Sequence, residues 1–473
     1  GKKSEDFQVR QNHILNGNTS RYLVLEFMGE GCFGKVAKCL SLITAQDVAL
    51  KILKSDKPSV SKRDINMLEV VSVLDPVKTN VVQFFERFEY KGHTCLAFEM
   101  LDRNLCQLLK DRDYKPPSLS EIRPVALQLL KAFDVLKGLG VIHSDLKPDN
   151  VMLVNHEKQP FRVKLLDFGV SLTTSEARCG LTMQPLGYRA PEVTLGLPIS
   201  EAIDMWGLGC VLAFLYLSDH LFPTNCQYQM MRSVVDLVGQ PADHLLCAGI
   251  FTNTFFRANQ YWDSPKWWLK TPREYQQTTG IKPNECQRYF SSLDDLVTLY
   301  PEIEECIEME DRRAFVSLLT CLLNMDPEQR ITAEKALKHP FVSMAHLVEE
   351  SDTTLYVEEA FDKMEEGTFT SEAEEQAKVD GAVAILSPVG ADSDGSNRSS
   401  DGVANPPDGA AAEEEPTVSQ DPVSTGPADE ASAPDGSSDK GAPVKVKKCQ
   451  MKRIHTFFSR GIRTVFGLKK KQS

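Results

Sequence analysis

The sequence predicts an α+β protein in which a small, mostly antiparallel β region with one helix precedes a larger, mainly helical region. Three observations carry that reading. Residues 22–101 string together short apolar and β-branched runs separated by glycine turns, with one helical interruption. From about residue 103 the apolar residues recur at helical spacing. After Phe341 the core signal fades and the charges separate. Residues 345–443 carry 24 acidic and 4 basic residues, a net of −20, whereas 444–473 carry 10 basic residues and no acidic one. Residues 1–344 are nearly balanced at −3, within a 473-residue chain of net charge −13.

In the β region, "YLVLEFMGEG" and "KVAKCL" flank a glycine turn, and "DVALKIL" (47–53) is apolar and β-leaning. "SKRDINMLEVVSVLD" (61–75) places Ile65, Leu68, Val71 and Leu74 on one helical face. "VVQFFERFEYKGHTCLAFEML" (81–101) reads as a hairpin turning at "KGH". In the helical region, "SEIRPVALQLLKAFDVLKGLG" (120–140) opens on Ser and Glu and closes on Gly138 and Gly140, the punctuation of a helix. "SEAIDMWGLGCVLAFLYLSD" (200–219) reads as a buried helix, and 311–327 and 332–341 as amphipathic ones. Residues 351–443, rich in Asp, Glu, Ser, Pro, Gly and Ala, bury too little apolar surface to fold and are expected to be an unstructured linker.

The 12 cysteines form no Cys-x-x-Cys pair and no metal-ligand spacing, which fits small buried hydrophobes in a reducing compartment. "GKKSEDFQVRQNH" lacks the apolar core of a signal peptide, and no stretch approaches the ~18 apolar residues of a membrane span. The expectation is a soluble protein that is not secreted.

Six short motifs carry chemistry. "MGEGCFGKV" (Met28, Gly29, Glu30, Gly31, Cys32, Phe33, Gly34, Lys35, Val36) lies between two strands, where its glycines let backbone amides approach phosphates. Alone, it reads better as a hairpin turn, which uses glycine for positive φ. "VALK" follows, and Lys51 on that strand is a candidate partner for α- and β-phosphates. In "VIHSDLKPDN" (141–150), Asp145 is a candidate acceptor for a hydroxyl proton, Lys147 for stabilising a transferring phosphoryl group, and Asn150 for holding Mg²⁺. "LLDFG" (165–169) offers Asp167, a hard oxygen ligand suited to the same ion. Glu192 of "APE" is a candidate partner of Arg330, and Asp204 of "DMWGLG" a buried acceptor for amides of the 141–150 loop.

In this order and spacing, the motifs resemble those of the eukaryotic protein kinases over residues 22–342. The resemblance implies a two-lobed fold. Its N-lobe (about 22–101) carries one regulatory helix; its C-lobe (about 102–342) carries an insert at about 241–300. It also implies ATP and Mg²⁺ as cofactors and protein Ser/Thr hydroxyls as acceptors. Residues 1–21 are an N-terminal extension, 345–443 an acidic linker and 444–473 a basic amphipathic segment. "HTCLAFEMLDRNL" (93–105) and "LGLPISEAIDMWGLGCVL" (195–212) resemble the dual-specificity tyrosine-regulated and homeodomain-interacting protein kinases, and "LKTPREYQQTTGIKP" (269–283) resembles the homeodomain-interacting branch. That branch implies Phe98 as gatekeeper, and Glu99 and Leu101 as hinge residues offering backbone groups to adenine. It implies acceptors followed by Pro, transcription-regulator partners without direct nucleic-acid binding, and a nuclear location, with the cytoplasm as alternative.

The chain departs from the family pattern at three places. Ser144 stands where a catalytic-loop arginine is usual, as the branch itself commonly lacks it. Counting back from "YRAPE", Thr182 occupies the place of the branch's regulatory tyrosine, and Leu186 and Gly187 also differ. Either Thr182 is phosphorylated or the loop is ordered without a phosphate. The carboxylate expected to pair with Lys51 is Asp64, with Glu69 as alternative. These departures support a rival reading, a weakly active or inactive pseudokinase scaffold that binds partners through the fold and the basic tail. In that tail, Ile454, Phe457, Phe458, Ile462, Val465 and Phe466 recur at helical spacing among Lys and Arg. It suits an anionic membrane surface, a partner groove, nuclear import, or return onto the acidic linker.

Overall fold

The computed structural model describes residues 9–30, 34–53, 58–259, 266–285, 290–301, 306–348 and 354–368, without the side chains of 58–64 and 368. The small lobe is a curled antiparallel sheet of six strands in the order β1-β2-β3-β4-β6-β5. These are β1 (Ile14–Asn16), β2 (Arg21–Glu30), β3 (Gly34–Ser41), β4 (Asp47–Leu53), β5 (Phe84–Tyr90) and β6 (His93–Glu99). Helix α1 (Pro58–Val71) interrupts them between β4 and β5. Alternating burial along β3 and β4 puts Ala37, Cys39, Val48, Leu50 and Ile52 into one core. The β5–β6 turn is at Lys91 and Gly92, both at positive φ (47° and 80°).

Two features of this lobe escaped the sequence. Strand β1 lies in the extension 1–21 and pairs with β2. The turn that follows it is tied to Glu86 of β5. That carboxylate accepts the N–H groups of Asn18, Thr19 and Ser20 and the hydroxyls of Thr19 and Tyr22. Burial pushes the Glu86 carboxyl up, but these hydroxyl and amide donors outweigh it and hold it below its ordinary value. Helix α1 ends at Val71, earlier than the periodicity predicts; Leu74 lies in the following turn, packed only partly against the core.

The chain crosses into the large lobe through residues 100–103, which are stitched to a hairpin of that lobe. Asp102 N–H donates to Leu153 O (2.9 Å), and Leu153 N–H donates to Arg103 O (2.8 Å). Beyond lie α2 (Leu105–Asp111), α3 (Leu119–Gly138), β7 (Val141–Ile142), β8 (Val151–Asn155), β9 (Gln159–Leu165) and β10 (Leu172–Thr173). Ser118 and Glu121 form a capping box at the start of α3. Strands β8 and β9 pair, as do β7 and β10. Next come α4 (Pro191–Leu195), α5 (Ala202–Leu217) and α6 (Gln227–Val238). Helix α5 is buried almost throughout, which explains its lack of an apolar stripe.

A segment made of α7 (Asp243–Ala248), α8 (Thr252–Phe255), β11 (Phe256–Ala258), β12 (Trp267–Leu269) and α9 (Pro272–Thr279) follows. It buries Phe255, Phe256 and Tyr275 in a small core of its own with Tyr228 and Met231. The lobe closes with α10 (Cys306–Leu322), α11 (Ala333–Leu337), α12 (Pro340–Ser343), α13 (Ala345–Val348) and α14 (Leu355–Thr368). The single helix expected over 332–341 is two. Pro340 has no N–H to continue α11 and instead opens α12, whose first turn is capped by His339 Nδ1 accepting from Phe341 N–H (3.3 Å).

Helix α14 corrects the expectation that 351–443 lacks structure. Val357 and Ala360 are buried, and Tyr356 and Met364 pack against Ile307 and Leu347. The helix also lies on α3 so closely that a Cβ on Gly367 would come within 2.6 Å of Pro124 Cβ, which only glycine avoids. Residues 369–443 and the basic segment 444–473 fall outside the described residues.

Candidate active site

Strand β7 delivers the chain to His143 and Ser144 in the interior, both fully buried. Ser144 has φ 62°, so the backbone turns sharply there and its N–H leaves the direction of the ladder. Asp204, in the first turn of α5, takes the N–H groups of His143 (2.7 Å) and Ser144 (2.9 Å). Its burial raises the carboxyl pKa, and the His143 ring and the two amides pull the other way without cancelling it.

The turn exposes one face of Asp145. Its Oδ2 accepts from Lys147 Nζ (2.9 Å) and Asn150 Nδ2 (2.8 Å), and Asn150 Nδ2 also donates to the Asp145 carbonyl (2.8 Å). His143 Nδ1 accepts the Asp145 N–H (3.3 Å) while Nε2 faces Leu166 O (2.8 Å), a pair that calls for the Nε2–H tautomer.

The neighbouring segment leaves β9 at Leu165. Leu166 N–H donates to Asn150 O (2.9 Å), Phe168 packs edge-on against the His143 ring (5.0 Å), and Asp167 sits at φ 60°. Lys51 Nζ reaches across from β4 to Asp167 Oδ1 at 3.1 Å. Burial pushes the Asp167 carboxyl up, but the Lys51 ammonium outweighs it and keeps the group ionised below its ordinary value. Asn150 commits its nitrogen to Asp145, so its Oδ1 is the atom it can offer to a cation. A carboxylate and an amide oxygen suit a hard divalent ion completed by phosphate oxygens, and this donor set fits Mg²⁺.

Above these residues, Gly29 pairs with Val36 and Glu30 with Lys35 across β2 and β3, with Lys35 Nζ 3.6 Å from Glu30. Met28 is exposed, and Gly31, Cys32 and Phe33 lie outside the described residues. Gly34 is required sterically: a Cβ there would stand 2.1 Å from Ile52 O on the adjoining strand. Val36 faces Lys51 in register. Where β6 gives way to the crossing between the lobes, the Glu99 carboxylate accepts from Lys164 Nζ (2.6 Å) and Gln83 N–H (2.6 Å), Phe98 tilts against Phe84 (5.4 Å), and Leu101 is buried. Asp64 belongs to α1, but its side chain lies outside the description; Glu69, the alternative partner of Lys51, is exposed.

The segment 170–192 is held at both ends. Ser144 Oγ donates to Val170 O (2.8 Å), and Ser171 Oγ to His143 O (2.9 Å). Further on, Gln184 is buried and spans two elements, donating to Ile203 O and accepting from Ala190 N–H, both at 2.9 Å. Arg189 donates to the carbonyls of Met183 (2.9 Å) and Gln184 (3.0 Å). Thr182 is exposed between these anchors. Glu192 and Arg330 form a buried bidentate pair at 2.5 and 2.9 Å beside Trp206. Sequence reasoning missed the hydroxyl links of Ser144 and Ser171 and the Gln184 clamp, since single Ser and Gln residues in a loop carry no spacing signal.

A family model described as the protein kinase domain matches residues 22–342. The chain belongs to the protein kinase family. Among curated relatives, homeodomain-interacting protein kinase 2 of Mesocricetus auratus is 43% identical over 375 residues, 77% of this chain and 32% of that protein. Homeodomain-interacting protein kinase 1 of Mus musculus is 43% identical over 369 residues, 76% of this chain and 30% of its own length. Homeodomain-interacting protein kinase 4 of Homo sapiens is 37% identical over 358 residues, 72% of this chain and 58% of that protein. The chain thus spans about a third of the first two relatives. The curled antiparallel lobe and the helical lobe are those of the kinase family, as the sequence predicts. Among the described residues no helix is long and apolar enough to cross a membrane.

Proposed function

We propose that the chain is a protein kinase that transfers the γ-phosphoryl group of ATP to Ser or Thr hydroxyls of proteins, with Pro preferred after the acceptor. The observation that carries this reading is that Lys147 and Asn150 hold Asp145 (2.9 and 2.8 Å) and Lys51 holds Asp167 (3.1 Å), with the two loops joined by the Leu166 N–H on Asn150 O (2.9 Å). Asp145 orients the acceptor hydroxyl and takes its proton, using the carboxylate oxygen that Lys147 and Asn150 leave available. Lys147 lies beside the transferring group, Lys51 and the amides of the glycine turn hold the phosphates, and Glu99 and Leu101 meet the adenine through their backbones. Asn150 and Asp167 would hold Mg²⁺, which supplies charge neutralisation at the phosphates when bound. The protein's contribution is positioning and preorganised charge. The partners on this reading are transcription regulators of the homeodomain kind named in the relatives, met in the nucleus.

A scaffold is the second reading, favoured by the exposure of Glu69, the alternative α1 partner of Lys51. The test is the full chain incubated with Mg-ATP and a Ser/Thr peptide library split into Pro and Ala at the position after the acceptor, read by mass spectrometry beside Asp145→Asn. Phosphate in the parent, none in the variant, and Pro peptides favoured is the expected result. ATP binding with no phosphate on any peptide or on the chain would establish the scaffold.

A further inference from the structure

We propose that Ser144 is a positioning residue whose hydroxyl latches the activation segment to the loop bearing Asp145, so that phosphoryl transfer needs no phosphate on Thr182. The inference rests on the phosphoryl-transfer reading and concerns the regulation of that site.

Strands β7 and β10 pair only through Ile142–Leu172 and Val141–Thr173. The ladder cannot run further, because Ser144 turns to φ 62° and gives its N–H to Asp204. Just where the two backbones part, two hydroxyls replace the missing rungs in reciprocal fashion. Ser144 Oγ donates to Val170 O at 2.8 Å, and Ser171 Oγ donates to His143 O at 2.9 Å. The bridged residues are neighbours of the reacting groups: Ser144 directly precedes Asp145, and Val170 comes three after Asp167. The latch therefore sets the separation between the proton acceptor and the metal ligand.

The chemistry of the position argues for the hydroxyl. A left-handed backbone favours glycine, and Ser144 adopts it with a side chain that is fully buried and hydrogen-bonded. A neutral, sealed residue cannot recruit a phosphate. At the far end of the segment, the Arg189 guanidinium is turned onto the Met183 and Gln184 carbonyls, and Gln184 fixes Ala190 and Ile203. Both ends are thus anchored by bonds to backbone groups, with Thr182 exposed between them.

The experiment uses the full chain as parent, Ser144→Gly, Ser144→Ala and Thr182→Ala, each before and after phosphatase treatment. Steady-state kinetics are measured with Mg-ATP and a Ser-Pro peptide, and hydrogen exchange is followed across 168–176. Glycine relaxes the turn, so Ser144→Gly tests the hydroxyl without endangering the fold. The expected result is a kcat about tenfold lower in both Ser144 variants with KM for ATP within about twofold, and faster exchange at 171–174. Thr182→Ala and phosphatase treatment should leave kcat within about twofold of the parent. Parental kcat and exchange in Ser144→Gly would overturn the latch, as would loss of activity on removing phosphate from Thr182. An inactive parent sinks the kinase reading instead; the exchange data then decide whether the hydroxyl holds the segment.

Discussion

Asp204 and Asp311 are both sealed carboxylates of the large lobe, 2% and 0% exposed, yet their pKa values move in opposite directions. Asp204 accepts the backbone N–H groups of His143 and Ser144 near the His143 ring, and burial wins: its carboxyl is raised. Asp311 of α10 meets Arg123 of α3 (2.5 Å), His346 of α13 (2.8 Å) and Tyr356 of α14 (2.6 Å). There burial pushes up as well, but His346, Arg123 and Tyr356 outweigh it and the carboxyl is lowered. His346 Nδ1 also faces Pro340 O (3.1 Å), so both ring nitrogens point at acceptors. Two neutral dipoles suffice to aim a loop; a carboxylate that joins four helices is held by charge. The first is a clamp on geometry, the second a clamp on the fold.

Breaking the charged clamp should have the largest effect. Asp311→Asn leaves the buried Arg123 guanidinium without a counter-charge, and among the described residues its Nη1 already has no hydrogen-bond partner. Urea denaturation should show a loss of about 3–5 kcal/mol, most of it restored when Arg123→Met is combined with Asp311→Leu. A single-variant loss below about 1 kcal/mol would mean the cluster is solvated.

Asp204→Asn should cost less, about 2–3 kcal/mol, because one backbone N–H then faces an amide nitrogen. The two variants separate further with pH. The lowered Asp311 carboxyl contributes stability that is present above the ordinary carboxylate range, near pH ~4, and is lost as pH falls through its folded value. The gap between parent and Asp311→Asn therefore narrows in acid. For Asp204 the folded value is the higher one, so parental stability rises as pH drops from that value towards ~4, and the gap to Asp204→Asn widens. Parallel pH profiles for the two pairs would refute the contrast. The smallest effect is expected from Tyr356→Phe, which removes one hydroxyl from Asp311 and about 1.5 kcal/mol from thermal stability. An unchanged melting temperature would show that α14 is docked by its apolar face alone.

These clusters also mark what the sequence could convey. Strands, the buried α5 and the two-lobe order were legible, because period-2 and all-apolar runs report burial directly. Asp145, Asn150 and Asp167 stood out because fixed offsets between polar residues persist inside apolar strands. Ser144 was visible only as an arginine that was not there; its hydroxyl partner is 26 residues away, and no local pattern encodes that. Helix α14 was hidden by averaging: Tyr356, Val357, Ala360 and Met364 make a short apolar face inside a stretch whose composition is dominated by acidic and small residues. β1 was similarly concealed, since three residues next to a sheet edge carry little periodicity and its turn depends on Glu86, more than 60 residues on.

The β8–β9 hairpin holds the small lobe at two places, the chain crossing and the connection between α1 and β5. Asp102 and Arg103 are bonded to Leu153, while Asn80 and Val82 are bonded to Leu165. Strand β8 begins directly after Asn150, and β9 ends two residues before Asp167. The hairpin is therefore a fulcrum: a rotation that opens the cleft has to bend residues 99–101 and the chain just past Val82, or else tilt the hairpin. A tilt moves Asn150 and Asp167 together, so the grip on a nucleotide and the spacing of the two oxygen ligands are adjusted by one mechanical element.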